Sequence, residues 1–289
     1  AITSGSGTDS SSGEITLFTS NAHTGAGVSG GIYLSTGIAT AGPAGSGAIM
    51  MMTGDATGGN GGDIVMSVGD GSGGVGGTIV MSAGLSSATH GGSISIGSGE
   101  GQGGNGGDIA IIVGTGDTLQ GGKLTLAAGK STAASSANGE GGDVEITSGS
   151  GTRGKSGMMY LHTPSGGANP GSDPLSTGGL TGSITLSTGT STNGGAGALV
   201  FGTGNGVGGP GGAITMLVGT GNSGAGGAIT LAAGESTASG NAATGGHVTI
   251  TAGSGTQTSS GNLVMRTHNA GTAGVGGVVI LSSGAGTTG

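Results

Sequence analysis

The sequence predicts an all-β fold, a single-chain β-solenoid of parallel stacked coils with about 15 residues per coil and about 18 coils. Three observations predict it. Glycine accounts for 80 of 289 residues, without the every-third spacing of collagen. Charged residues make up only 6% and the mean hydropathy is +0.17, the reverse of a disordered chain. A unit Gly-x-Φ-x-Φ-x-x-Gly, in which Φ is aliphatic or Met, recurs along the chain.

The first glycine of each unit defines the period. Most neighbouring first glycines lie 15 residues apart, and the other spacings run from 16 to 25. The first glycines occupy positions 13, 30, 47, 62, 77, 92, 107, 122, 142, 157, 182, 197, 212, 227, 246, 261 and 277, after a partial unit at the start. Random low-complexity sequence does not keep such a register, so the units are structural repeats.

The two Φ positions of a unit share one face of a strand, because side chains alternate across an extended backbone. Stacked coils would lay these residues in two aliphatic ladders that form the core. The ladder is best defined by Ile64, Met66, Ile79, Met81, Ile109, Ile111, Leu124, Leu126, Ile214, Met216, Ile229 and Leu231. A third inward position, just before the closing glycine, takes smaller residues such as Thr36, Val68 and Ala83.

The remainder of each coil is short and glycine-rich, and the position two after the closing glycine is nearly always Gly or Ser. This pattern predicts a thin, glycine-rich second wall that approaches the first closely. A polyglycine-type helical bundle is the alternative that the composition allows. The alternation of Ile and Leu argues against that alternative.

We expect a single repeat domain over residues 1–289. The longer spacings predict loops inserted near 132–141, 164–181 and 241–245. The largest insertion contains Pro164, Pro170 and Pro174, which suit an excursion away from a strand. We expect these insertions to be tolerated surface loops.

The outward positions of many units are also apolar, and a strand that is apolar on both faces is usually covered on both. We therefore expect lateral packing on another chain. The candidate lateral interface comprises Met50, Met52, Val65, Val80, Ile112, Val200, Leu217, Val264 and Ile280. The simpler explanation is that β-branched residues favour strands wherever they lie.

Groups suited to catalysis are few and scattered. The five histidines fall at different positions of the repeat, and no Cys is present. We therefore assign no catalytic residue and no cofactor, and expect that the protein is not an enzyme. Charged residues cluster once, at Lys130, Glu140, Asp143, Glu145, Arg153 and Lys155. A surface ion network explains that cluster, so a β-helix polysaccharide lyase is the least favoured function.

Two stretches, 58–65 and 103–110, match the calcium-binding repeat Gly-Gly-x-Gly-x-Asp-x-U-x. They make Asp63 and Asp108 weak calcium candidates. The match resembles the tandem nine-residue turns of toxin rolls, whereas the period here is 15 and most units lack the Asp. Glycine-rich corners followed by an outward Asp explain the match without metal, so no metal site is assigned.

Charge and hydropathy limit the partners. Five Lys and Arg against 13 Asp and Glu, with 1% aromatic residues, argue against nucleic acid. No apolar run approaches the length of a membrane span, so none is expected. Ser and Thr at outward positions are acceptors for O-glycans, whose positions the sequence does not fix.

The ends lack the caps that normally block edge pairing of solenoids. Ala1 enters at the fourth position of a coil and Gly289 leaves at the thirteenth, so two copies end to end nearly complete a coil. We therefore expect the main partner to be the protein itself, in an axial homopolymer. The absence of an initial Met fits a processed chain or a piece of a longer one.

Composition and register resemble the Gly/Ser/Thr-rich repeat tracts of large secreted surface, fibril and adhesin proteins. The resemblance implies an extracellular or cell-surface location. We predict a structural protein, a secreted β-solenoid subunit that stacks head to tail into an extracellular fibril or sheath. The alternative is a monomeric adhesin stalk, or an ice- or carbohydrate-binding solenoid. Ice binding requires paired outward Thr in many coils, and only Thr249 with Thr251 provides it.

Overall fold

The structure, a computed structural model, describes residues 1–6, 11–22, 27–40, 45–132, 139–166, 180–222, 225–238 and 244–284. Over these residues the backbone forms neither an α-helix nor a β-strand. The chain divides into two units, Ala1–Val144 and Glu145–Gly289. The boundary falls inside the repeat at 142–149, so the same motif builds both units.

The prediction of a single-chain β-solenoid is wrong. A solenoid would bond each strand to the one a full period, about 15 residues, further along the chain. The backbone–backbone hydrogen bonds of the described residues instead join glycines eight to thirteen residues apart, besides one turn from Gly274 to Gly271. These bonds close the loop between two neighbouring units. Accordingly, the described chain forms neither a stack of coils nor a thin second wall.

The eight residues of each unit, from first glycine to closing position, are here called a repeat segment. Exposure alternates along it: in the segment 62–69, Ile64 is 54% exposed, Val65 81% and Met66 59%. On the opposite face of another segment, the Tyr160 hydroxyl donates to Met158 Sδ, two residues away, at 3.2 Å. A period of two is the pattern of an extended backbone, so the two faces deduced from the sequence are distinct in the structure.

The stretches between repeat segments are here called connecting loops. The chain bends at the same place in each described loop of ordinary length, beginning five residues before the next first glycine. Such bends occupy 57–59, 72–74, 87–89, 102–104, 117–119, 152–154, 192–194, 207–209 and 256–258. Gly208, in one of these bends, has a φ of 79°, in the left-handed region that glycine adopts without strain.

No described side chain is buried, and the described residues therefore form no hydrophobic core. The chain exposes 27773 Å² of surface. A folded monomer of its mass, 25.9 kDa, would expose about 10,500 Å², and a fully unfolded chain about 37,600 Å². The single chain thus keeps most of its surface in water.

This surface area predicts how the isolated chain unfolds. We expect no cooperative urea transition at dilutions where sedimentation shows single chains, because little surface remains to be exposed and the urea dependence of stability scales with that surface. Circular dichroism would follow the titration. A sharp transition whose midpoint does not depend on protein concentration would contradict this expectation.

Candidate assembly surface

The repeat segments present unpaired backbone along their length. In the described residues, the N–H and C=O groups between the first glycine and the closing position form no backbone–backbone hydrogen bond. An extended segment carries such groups along two edges, and an unpaired edge is a template for pairing with another chain. The segments therefore offer both edges to a partner.

The same segments present apolar side chains. The twelve ladder residues predicted from the sequence are between 52% and 68% exposed, and those of the candidate lateral interface between 71% and 89%. Phe201, Ile214, Thr215 and Met216 line an open apolar cleft of about 370 Å³. Because Phe201 lies in the segment 197–204 and the other three in the next, the ladder positions of consecutive segments border one uncovered space.

Most neighbouring segments of the described residues are joined by a hydrogen bond that we call the junction clamp. It connects the end of one segment to the first glycine of the next, in one of two forms. Beside Ala83, the Gly92 N–H donates to the Gly84 carbonyl at 2.9 Å. In the other form, the Thr53 hydroxyl donates to the Gly62 carbonyl at 3.2 Å.

The form of the clamp varies with the residue before the closing position, and two junctions show both forms. The Gly212 N–H donates to the Gly204 carbonyl at 3.3 Å beside Thr203, and the Ser148 hydroxyl donates to the Gly157 carbonyl at 3.0 Å. Ala or Ser there goes with the backbone form, in the pairs Gly13–Gly5, Gly92–Gly84, Gly107–Gly99, Gly142–Gly129, Gly157–Gly149, Gly246–Gly234 and Gly261–Gly253. Thr goes with the hydroxyl form, from Thr19, Thr36, Thr53, Thr163, Thr203 and Thr267. A small side chain lets the two backbones approach, whereas the bulkier Thr supplies the donor itself.

Valine at this position has the bulk of Thr without the hydroxyl. Beside Val113 the backbone clamp from Gly122 to Gly114 is kept at 3.0 Å. At Val68 and Val218 the described residues show no clamp hydrogen bond. The described residues also show no clamp hydrogen bond at Thr188, so the size and the hydroxyl of this side chain influence how the junction closes without fixing it.

The clamp is independent of loop length. The Gly142 N–H reaches the Gly129 carbonyl and the Gly246 N–H reaches the Gly234 carbonyl, both at 2.9 Å, across loops longer than the ordinary ones. The Thr163 hydroxyl reaches the Gly182 carbonyl at 3.0 Å, across 19 residues. These junctions hold the insertions predicted near 132–141, 164–181 and 241–245. Residues 133–138, 167–179 and 239–243 lie outside the described residues. Segments flanking an insertion are thus joined as the others are.

Glycine allows close contacts at two places around the clamp. A Cβ at the first glycine Gly122 would lie 2.5 Å from Val113 Cγ1, and one at Gly92 would lie 3.3 Å from Ala83 Cβ. Two residues after the closing glycine, a Cβ at Gly116 would lie 2.6 Å from the Gln120 carbonyl oxygen. The tiny residues at this second place therefore make room for the loop's own carbonyls and do not thin a second wall.

Serine fills the second place in some loops and contributes hydrogen bonds there. The Ser86 Oγ accepts the Thr89 N–H at 3.0 Å and lies 3.2 Å from the Thr89 hydroxyl. Such a side-chain bond to the backbone two or three residues on is a common way to close a turn. Gly and Ser thus serve the same loop by different means.

The candidate residues for other chemistry stay apart. Asp63 and Asp108 are exposed, and the part of the chain that the structure describes brings together no group of three His, Asp or Glu that could hold a metal ion. Of the five histidines, His23 lies outside the described residues. Within the described ranges no helix is long and apolar enough to cross a membrane.

Sequence reasoning missed the clamp residues. The position before the closing glycine was recognised only as a slot for smaller side chains. Its restriction to Ser, Thr, Ala and Val was the available signal, since Thr and Ser are the residues that bond a backbone carbonyl.

The chain matches no protein-family model, and no curated protein or solved structure is significantly similar to it.

Exchanging Thr53 tests the two forms of the clamp. With Thr53→Ala the backbone form should appear as it does beside Ala83, so the Gly62 amide should exchange about fivefold more slowly, for a net bond of about 1 kcal/mol. Thr53→Val keeps the bulk and removes the hydroxyl. The backbone form occurs beside only one of the three valines at this position, so the Gly62 amide should be slowed less than in Thr53→Ala. Amide exchange by NMR measures both, and equal rates in the two variants would refute the size rule.

Substituting the second glycine position tests the loop geometry. Gly116→Ala should cost about 1–3 kcal/mol of loop closure, because the new Cβ meets backbone oxygens that cannot move aside. The Gly122 amide, which donates the clamp bond, should then exchange faster. Gly114→Ala is the matched control, since a Cβ there has no atom within 4 Å. Indistinguishable exchange in the two variants would contradict the steric reason.

Proposed function

We propose that the protein is an extracellular structural protein whose chains associate with one another along their repeat segments. The observation that carries the proposal is the exposure of both ladders in the described segments, on a chain with only 6% charged residues. Exposed apolar area of this extent marks an association surface. An ordinary soluble monomer would bury these residues in its own core.

The energetic case rests on repetition. Covering a half-exposed aliphatic side chain contributes about 1 kcal/mol, since complete burial is worth about 1.5–3 kcal/mol. One such contact is weak, but each chain repeats the same pair of ladder positions from unit to unit. Once one segment of a chain has bound a segment of its partner, the next pair of segments binds at high effective concentration. Weak contacts therefore add up to stable association.

The route of association differs from head-to-tail stacking. Stacking relied on the open coil edges of a solenoid, and the described residues contain no coils. The segments instead expose their unpaired backbone edges and their apolar side chains, which supports lateral association. The extracellular location rests on the resemblance to Gly/Ser/Thr-rich repeat tracts of secreted surface proteins, and the structural role on the surface described above.

Reducing the ladder should weaken association. The triple variant Ile64→Ser, Ile79→Ser and Ile109→Ser removes three ladder contacts of about 1 kcal/mol each, so the concentration for half-association should rise about 100-fold. Sedimentation over a dilution series measures that concentration, and electron microscopy shows the form of the assemblies.

The matched control removes equal apolar character from the connecting loops. Val75, Leu119 and Val207 are 98%, 87% and 101% exposed and lie outside the repeat segments. Changing these three to Ser should leave the association unchanged. Natural chains that stay monomeric at millimolar concentration would overturn the proposal, and ice-shaping by such monomers would favour the alternative binding function.

A further inference from the structure

We infer that each repeat segment pairs edge to edge with segments of two other copies of the same chain, so that strands form between chains and not within one. The inference rests on the proposed association and names the contact that produces it. It differs from a solenoid, in which a chain pairs with its own next coil. It also predicts assemblies of three or more chains.

The first step concerns the backbone. In the single chain the N–H and C=O groups within the segments bond to no backbone partner, which is tolerable because water surrounds them. A partner that covers the ladders also removes that water. Buried backbone groups must then find partners, and extended segments that lie beside them in the same layer supply these partners along their edges. Covering the ladders therefore requires main-chain pairing as well.

The second step concerns the number of copies. Each segment has two edges, and neither is occupied by the described residues between its glycines. A side-by-side dimer would satisfy one edge of each chain and leave the other open for a further copy. Both edges are satisfied only when a segment lies between two others, in a closed ring of chains or in the interior of an extended sheet. When these two neighbours belong to different copies, three chains are the minimum.

The third step concerns the area. The chain exposes about 17,000 Å² more than a folded monomer of its mass. Stable dimers of separately folded chains bury about 1,200–5,000 Å² in total, so one patch of that kind would leave most of the excess uncovered. Contact along the whole series of segments, on more than one side, is needed to cover it.

The fourth step identifies the partner as the same chain. A segment that repeats every 15 residues requires a partner whose own extended segments recur at the same spacing. Another copy has the same spacing of segments along its own sequence, and the clamp closes the junctions that hold inserted loops as it closes most of the ordinary ones. The low charge of the chain also keeps repulsion small between identical segments.

Proline within the segments tests the inference. The triple variant Thr125→Pro, Thr185→Pro and Thr230→Pro removes three backbone N–H groups that make no hydrogen bond in the single chain. Proline fits an extended backbone but cannot donate to a strand edge. The concentration for half-association, measured by sedimentation, should rise at least tenfold, and the β-sheet infrared band of the natural assembly should weaken.

Two controls isolate the N–H group. Replacing the same three threonines by Ala removes the hydroxyls and keeps the donors, and should leave association unchanged. Asn60→Pro, Asn105→Pro and Gln120→Pro place proline in connecting loops, two residues before the first glycine, where Pro210 occurs naturally. This variant should also associate as the natural chain does.

The outcomes separate the inference from the proposed function. If the natural chain associates and the segment-proline variant associates equally well, edge pairing is overturned while the structural role stands. Association that ends at dimers would overturn the requirement for both edges. If the natural chain never associates, the proposed function itself fails.

Discussion

The described structure depends on the junction clamp between the end of one repeat segment and the first glycine of the next. It is the backbone bond that recurs along the chain, and where Thr replaces Ala or Ser its hydroxyl takes over the same closing role. With it, a chain that buries no described side chain still has a regular series of extended segments.

The clamp also explains why so much of the sequence is glycine. At several junctions the first glycine lies so close to the side chain before the closing position that little or no room is left for a Cβ, as between Gly122 and Val113. At Gly197 and Gly261 a Cβ would be 3.9 and 3.7 Å from its nearest neighbour. Glycine two residues after the closing position avoids the loop's own carbonyls, as Gly116 does. Other glycines, such as Gly114, face open space, so their presence is not imposed by sterics in the single chain.

The bends that recur with the period and the two faces of each segment could be predicted from the sequence, because each depends on neighbouring residues. The fold could not. A period of 15 residues states how often like residues recur, but not which chain supplies their hydrogen-bond partners. The alternation of Ile64 and Met66 with outward residues serves a coil on its own neighbour and a segment beside another chain equally well. The clamp at Thr53 could not be predicted, because packing alone also explains a position that is restricted to small residues.

Repetition creates a difficulty for lateral assembly, and the unequal loops bear on it. Because most units have the same length, a copy displaced by one unit would still set Ile on Ile and Leu on Leu, so the ladders specify register weakly. The loops break this degeneracy. In a displaced pair the long loop between Thr163 and Gly182 would lie beside an ordinary one, whereas in register each loop meets its equal. Because the clamp also closes the junctions with long loops, an insertion does not alter the segments on either side of it. Insertions therefore distinguish the registers without changing the surface that associates.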